Sequence, residues 1–183
     1  MKTKFEVVSS KYVYRGRVVH LRTDSVSSYL RELIVCSEVV EQPGSVAIVA
    51  IDDHDNVYLV SQYRYAVDKV LMEIPAGTLE KGESSFDTAK RELREEIGMS
   101  ADHLMSAGSF YLAPGYSSET MEVYLAKGLS PDPLPQDVDE DIVVHIVPFE
   151  KLLEQICAGE FSDIKTVAAL LLVARNNLLL ESI

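Results

Sequence analysis

The sequence predicts an α+β protein, a mixed sheet with helices packed on it in an αβα sandwich. Three observations carry that prediction. Short stretches rich in β-branched and aromatic residues fill the first half; one amphipathic helical period follows; strand patterns then resume before two closing helices.

Taken in order, FEVVSSKYVY, RVVHLRTDSV, ELIVCSEVV, SVAIVAI and VYLVSQYRY read as short antiparallel strands of a meander. EQPG at 41–44 punctuates the run, and DDHDN at 52–56 reads as a hairpin loop between SVAIVAI and VYLVSQY. Asp52, Asp53, His54 and Asp55 are therefore turn formers rather than metal ligands. The helix covers residues 84–97: Ser84 or Ser85 can cap it, Phe86, Ala89, Leu93 and Ile97 recur on one face, and Gly98 stops it. AGSFYLAP and EVYLAKG resume the strands, SPDPLPQDVDED is a proline-rich acidic loop, and DIVVHIVPF is a further strand. Helices over roughly 148–158 and 163–180 close the chain, the last apolar around most of its circumference and so packed on the sheet or on a partner chain. Tyr63, Tyr65, Tyr116 and Tyr124 fall in strand regions, where at least two should face the core.

Composition narrows the function. At 183 residues and 47% hydrophobic the chain supports a well-built core. A net charge of -12 argues against a surface that wraps nucleic acid, although a divalent cation can still join such a chain to phosphates. No apolar run is long enough to span a membrane, so none is expected as a partner, and the simplest location is cytoplasmic. Cys36 and Cys157 read as buried apolar fillers, and His20, His103 and His145 show no ligand spacing.

The chemistry concentrates in GTLEKGESSFDTAKRELREEIGM, residues 77–99. Glu92, Glu95 and Glu96 stand at helical spacings of three and four and project to one side. Each such like-charge pair costs about 0.2–0.5 kcal/mol when exposed. A divalent cation among them removes the repulsion, because carboxylate oxygens suit Mg²⁺ and Mn²⁺, and Mg²⁺ commonly bridges to substrate phosphates. The bland alternative is a solvated helix face with Arg91 and Arg94 interleaved.

Gly77, Glu83, Arg91, Glu92, Leu93, Glu95, Glu96, Gly98 and Met99 match every position of the signature of the Nudix hydrolases, which this segment closely resembles. The resemblance implies cleavage of a pyrophosphate bond in a nucleoside diphosphate linked to another group, with Mg²⁺ or Mn²⁺ as cofactor. It also implies the Nudix-type αβα sandwich with a mixed sheet. QYRYAVDKVLMEIPAG, Pro114 and APGYSSETMEVYLA are similar to the branch acting on ADP-ribose and nucleoside diphosphate sugars, and the likeness runs from about Tyr14 to Val173.

From that branch, Glu92 and Glu96 are implied as principal metal ligands, with Glu95 assisting and the Ala76 carbonyl contributing. Arg91 is implied to orient a carboxylate, and Glu83 to support the site; its plain alternative is an acid favoured at a helix N-terminus. Arg64, Gly115 and Glu119 match substrate-contacting positions, Arg64 having the alternative of an ordinary strand-edge arginine. The general base is implied in the acidic loop, where Glu140 is the one glutamate of residues 136–141, behind Pro131, Pro133 and Pro135. Residues 1–42 are implied as an N-terminal antiparallel β-region that crosses to a second subunit of a homodimer, and 43–183 as the Nudix hydrolase domain. The absence of Trp, and of a glycine in VSSYLREL, departs from relatives and leaves base recognition open. The leading expectation is hydrolysis of a nucleoside diphosphate sugar. The alternatives are a dinucleotide substrate or a non-catalytic ligand-sensing module.

Overall fold

The computed structural model describes residues 5–28, 33–136 and 141–180, the side chains of 176–180 excepted. It divides into two compact units, Met1–Gly44 with Phe110–Thr120, and Ser45–Ser109 with Met121–Ile183.

The first unit is built on β1 (Phe5–Arg15), β2 (His20–Ser28) and β3 (Leu33–Glu41), an antiparallel sheet in that order. This part of the chain is the meander its sequence predicts. Irregularities in β1 after Val7 and after Tyr12 shift the register against β2. Phe5, Val7, Val8 and Val13 of β1 and Leu33, Ile34 and Val35 of β3 are exposed in the single chain. Cys36 is exposed here and Cys157 is exposed in the second unit, which corrects their reading as buried fillers. Each lies on an element with a solvent-facing side, so the usual burial of free cysteine does not apply.

In the second unit the core forms around β4 (Ser45–Ala50), where residues 46–50 are each fully buried. An uninterrupted apolar run with no polar face must be covered on both sides. β4 lies between β7 (Ala76–Thr78), antiparallel to it, and β9 (Thr120–Pro131), parallel to it, with β8 (Met99–Tyr111) beyond. A second sheet runs β10 (Val143–Pro148), β5 (Asn56–Arg64), β6 (Lys69–Glu73). Although Asp52–Asn56 links β4 to β5 tightly, the two strands join different sheets, sharing only the Ile51–Val57 bridge. The predicted hairpin is therefore a corner. Asp52 builds it by accepting bonds from the amides of His54 and Asn56 at 2.9 and 2.8 Å, with Asp55 in the left-handed region at φ 57°.

Helix α1 (Ser85–Glu96) packs Ala89 and Leu93, with Ile97 just beyond its end, on Val46, Ile48 and Ala50. Ser84 caps it, accepting from the Asp87 amide, and Gly98 leaves it at φ 69°. Phe86 departs from the predicted apolar face: it is 41% exposed in the first turn, set edge-on to the Tyr124 ring. The tyrosines also differ from expectation, since Tyr124 alone of the four is buried. Tyr63, Tyr65 and Tyr116 lie at a strand end, a short 3-10 turn and a loop, where no second layer covers them. Helices α2 (Phe149–Cys157) and α3 (Ile164–Leu180) follow, and α3 packs on β4 through a buried run that includes Ala169, Leu170 and Val173. Among the described residues no helix is long and apolar enough to cross a membrane.

Candidate active site

The helical register places the acids of α1 against the β7 turn. Glu92 and Glu96, one turn apart, face the sheet with Leu93 between them and are only 7% and 1% exposed. The Glu96 carboxylate accepts a bond from the Ala76 amide at 2.9 Å. Glu92 lies so close to Gly77 that a β-carbon there would overlap its carboxylate. Ala76 and Gly77 thus bring backbone to both acids, and only glycine leaves room for the second.

Arg91 organises the acids around it. Its Nη1 donates to Glu92 Oε1 and to Glu95 Oε2, both at 2.7 Å. Nε and Nη2 fork onto the two oxygens of Glu83, each at 3.1 Å, and Nη2 also reaches the Thr78 carbonyl. One guanidinium therefore holds three carboxylates, a task its planar fan of donors suits and an ammonium does not. The fork from Arg91 pulls the Glu83 carboxyl down to about 2, with help from the Thr88 hydroxyl and the Glu80 amide. In turn the bond to Glu83 holds Arg91 above its ordinary value. Glu83 directly precedes the helix cap, yet its bonds run to Arg91 rather than chiefly to the helix amides.

Among the described residues no three His, Cys, Asp or Glu side chains form a ready-made metal cage. The donor set nevertheless fits a hard divalent cation: buried carboxylates from one helix face, beside a turn that a β-carbon would fill, offer oxygen ligands only.

Arg64, at the end of β5, gives Nε and Nη2 to the two oxygens of buried Glu73 at 2.8 and 2.7 Å, and Lys165 Nζ reaches the same carboxylate. β5 is the central strand of its sheet, but its pairing with β10 ends at Ser61, so at Arg64 only β6 lies alongside, with Lys69 as the register partner. The Glu73 fork holds its guanidinium above its ordinary value against the opposing effect of burial, and the charge of Glu96 adds to it. Burial pushes the Glu73 carboxyl up, but the Arg64 bonds and the Lys165 charge outweigh it and leave it below the usual range. Glu73 and Lys165 were not singled out from the sequence. Their signal is a lone acid within the apolar VLMEI and a lone cation in the first turn of an apolar helix.

Gly115 and Glu119 belong to the other unit. Gly115 lies in the turn closed by the Tyr116 and Ser117 amides on the Ala113 carbonyl, and Glu119 accepts from Gln42 Nε2. Glu140 lies outside the described residues. The approach to it is anchored where the Asp132 and Leu134 amides donate to the carbonyls of Gly98 and Arg94.

An α+β fold that sets two buried helix acids against a sheet turn, one held by an arginine and the other by a backbone amide, defines a protein with a helix-borne carboxylate cluster. A family model described as the NUDIX domain matches residues 41–170. The chain is 38% identical over 172 residues to an ADP-ribose pyrophosphatase of Mycobacterium tuberculosis, covering 92% of this chain and 83% of that one. It is 36% identical over 166 residues to a methanol dehydrogenase activator of Bacillus methanolicus, covering 90% and 89%. A crystal structure of an ADP compounds hydrolase superposes with a TM-score of 0.85 at 26% identity, covering 94% of each chain. The chain belongs to the Nudix hydrolase family, whose members generally use divalent cations.

Proposed function

We propose that this chain hydrolyses the pyrophosphate bond of ADP-ribose or another nucleoside diphosphate sugar, with Mg²⁺ as the working cation and Mn²⁺ as a substitute. The observation that carries the reading is the meeting of Glu92 and Glu96 with the Ala76–Gly77 turn under the clamp of Arg91. Glu92, Glu95, Glu96 and the Ala76 carbonyl would hold the cation. When bound, it neutralises diphosphate charge and acidifies a coordinated water.

The chain's own residues supply positioning. Arg91 fixes the rotamers of Glu92 and Glu95, so their like charges are already gathered before a cation arrives. Glu83 keeps Arg91 in place and remains ionised at any working pH. Arg64 spends Nε and Nη2 on Glu73, and among the described residues Nη1 has no partner; it is the donor we assign to the diphosphate. On the family resemblance, Glu119 and Gly115 are proposed as substrate contacts, and Glu140 is assigned to accepting the proton of the attacking water. The exposed apolar residues of β1 and β3 support a homodimer through the N-terminal strands, and a cytoplasmic location agrees with the substrate class.

The names of the relatives support ADP-ribose as the first substrate to try, although one of them names an activator of another enzyme. Turnover of ADP-ribose, GDP-mannose, UDP-glucose and NADH by the chain alone, with nucleotide products identified, tests the reading. AMP and a sugar phosphate formed fastest from ADP-ribose is the expected result. AMP formed faster from NADH would transfer the assignment to dinucleotides, and no hydrolysis of any of them in Mg²⁺ would remove it.

A further inference from the structure

Glu73 lies 1% exposed at the end of β6, and the signature helix does not explain why it is charged. Arg64 forks onto it from β5, and Lys165 reaches it from the first turn of α3. Lys165 is itself tied to Asp163 at 2.8 Å. Asp163 caps α3, accepting the Thr166 amide at 3.0 Å and its hydroxyl at 2.6 Å. The Thr166 hydroxyl in turn accepts the Ile74 amide at 2.9 Å. The bonds form a closed loop: they leave β6 by the Glu73 side chain and return at the next residue. Two residues further on, the Ala76 amide meets Glu96.

We propose that Lys165 is a positioning residue of the active site, holding the Glu73 carboxylate from the α3 side and, through it, fixing the Arg64 guanidinium for the substrate. The inference rests on Arg64 contacting the diphosphate. A fork between Arg64 and Glu73 fixes the two groups relative to each other but does not fix the pair. Both side chains have several rotatable bonds, so an unanchored pair would have to be ordered when substrate binds. Lys165, with Asp163 and Thr166 behind it, orders the pair in the free protein and moves that cost out of the binding step. Lys165 also shares the compensation of a buried carboxylate that Arg64 would otherwise meet alone.

Steady-state kinetics on ADP-ribose at saturating Mg²⁺ test this with Lys165→Met, Lys165→Arg, Arg64→Ala and the double variant Arg64→Ala/Lys165→Met. Methionine keeps the apolar stem and removes the charge. Losing one charge-assisted anchor should raise KM about tenfold while kcat stays within about twofold, and arginine should restore most of the loss. In the Arg64→Ala background, Lys165→Met should change KM little, because the group it positions is gone. A normal KM in Lys165→Met beside a raised KM in Arg64→Ala overturns the proposal and leaves the Arg64 reading standing. Additive losses in the double variant also overturn it, since they mark a merely structural lysine. A normal KM in Arg64→Ala overturns both. Lys165→Gln takes the place of the methionine variant if that one fails to fold.

Discussion

Gly77 matters for the atom it lacks. A β-carbon there would occupy the space of the Glu92 carboxylate, so Gly77→Ala must move either the β7 turn or the acid that Arg91 holds. Strain of this kind costs about 1–3 kcal/mol in stability. Activity should suffer more, falling at least about tenfold with a raised Mg²⁺ requirement, as expected when the support of a metal ligand is displaced. Kinetics against a Mg²⁺ titration, beside a thermal melt, separate the two effects. Glu96→Gln tests the other acid. Its amide oxygen can still accept the Ala76 amide, and removing one charge relieves the like-charge repulsion with Glu92 one turn away. The variant should therefore melt at or slightly above the parent temperature and show no turnover; parental activity in Mg²⁺ would end the assignment of Glu96 to the cation.

At the scale of elements, α1 joins core and chemistry on one cylinder. Leu93 sits fully buried between Glu92 and the next turn, against β4 and β5 residues such as Ile48 and Val60. Leu93→Ala should cost about 2–5 kcal/mol, read as a shifted urea midpoint with an unchanged slope. Because the acids ride on the helix that Leu93 seats, kcat should fall even where the protein remains folded. This helix was legible in the sequence: cap, period and stop are local signals, and Ser84, Ala89, Leu93 and Gly98 all serve as read. Phe86 was misjudged because a period of 3.6 identifies a face, not how far the sheet beneath it extends. β4 was legible as a strand, while its neighbours were not. Its parallel partner β9 comes from far along the chain, and no local pattern encodes such a pairing. The same limit explains the unseen ring of Arg64, Glu73 and Lys165, whose members come from three elements and meet only once the chain is folded.

For the molecule as a whole, a net charge of -12 makes carboxylate placement the main electrostatic fact, and Glu83 shows what it does to stability. Its carboxyl is lowered from 4.5 to about 2 by the Arg91 fork. The unfolded chain therefore binds a proton at this site between those two values while the folded chain does not, so stability rises with pH across that window. The contribution is fully present above about 4.5 and is lost as pH falls through about 2. Glu73, also held below the usual range, adds a contribution of the same sign. Wild-type protein should consequently lose stability on acidification below about pH 4.5, measured by urea midpoints at pH 7, 4.5 and 3.5. Glu83→Gln removes the titrating group and leaves Arg91 with two acids in place of three, so it should be weaker at pH 7 yet lose less between 4.5 and 3.5. An acid slope as steep in Glu83→Gln as in the wild type would show that the Arg91 fork does not hold Glu83 ionised, and the support assigned to Glu83 would have to come from another bond.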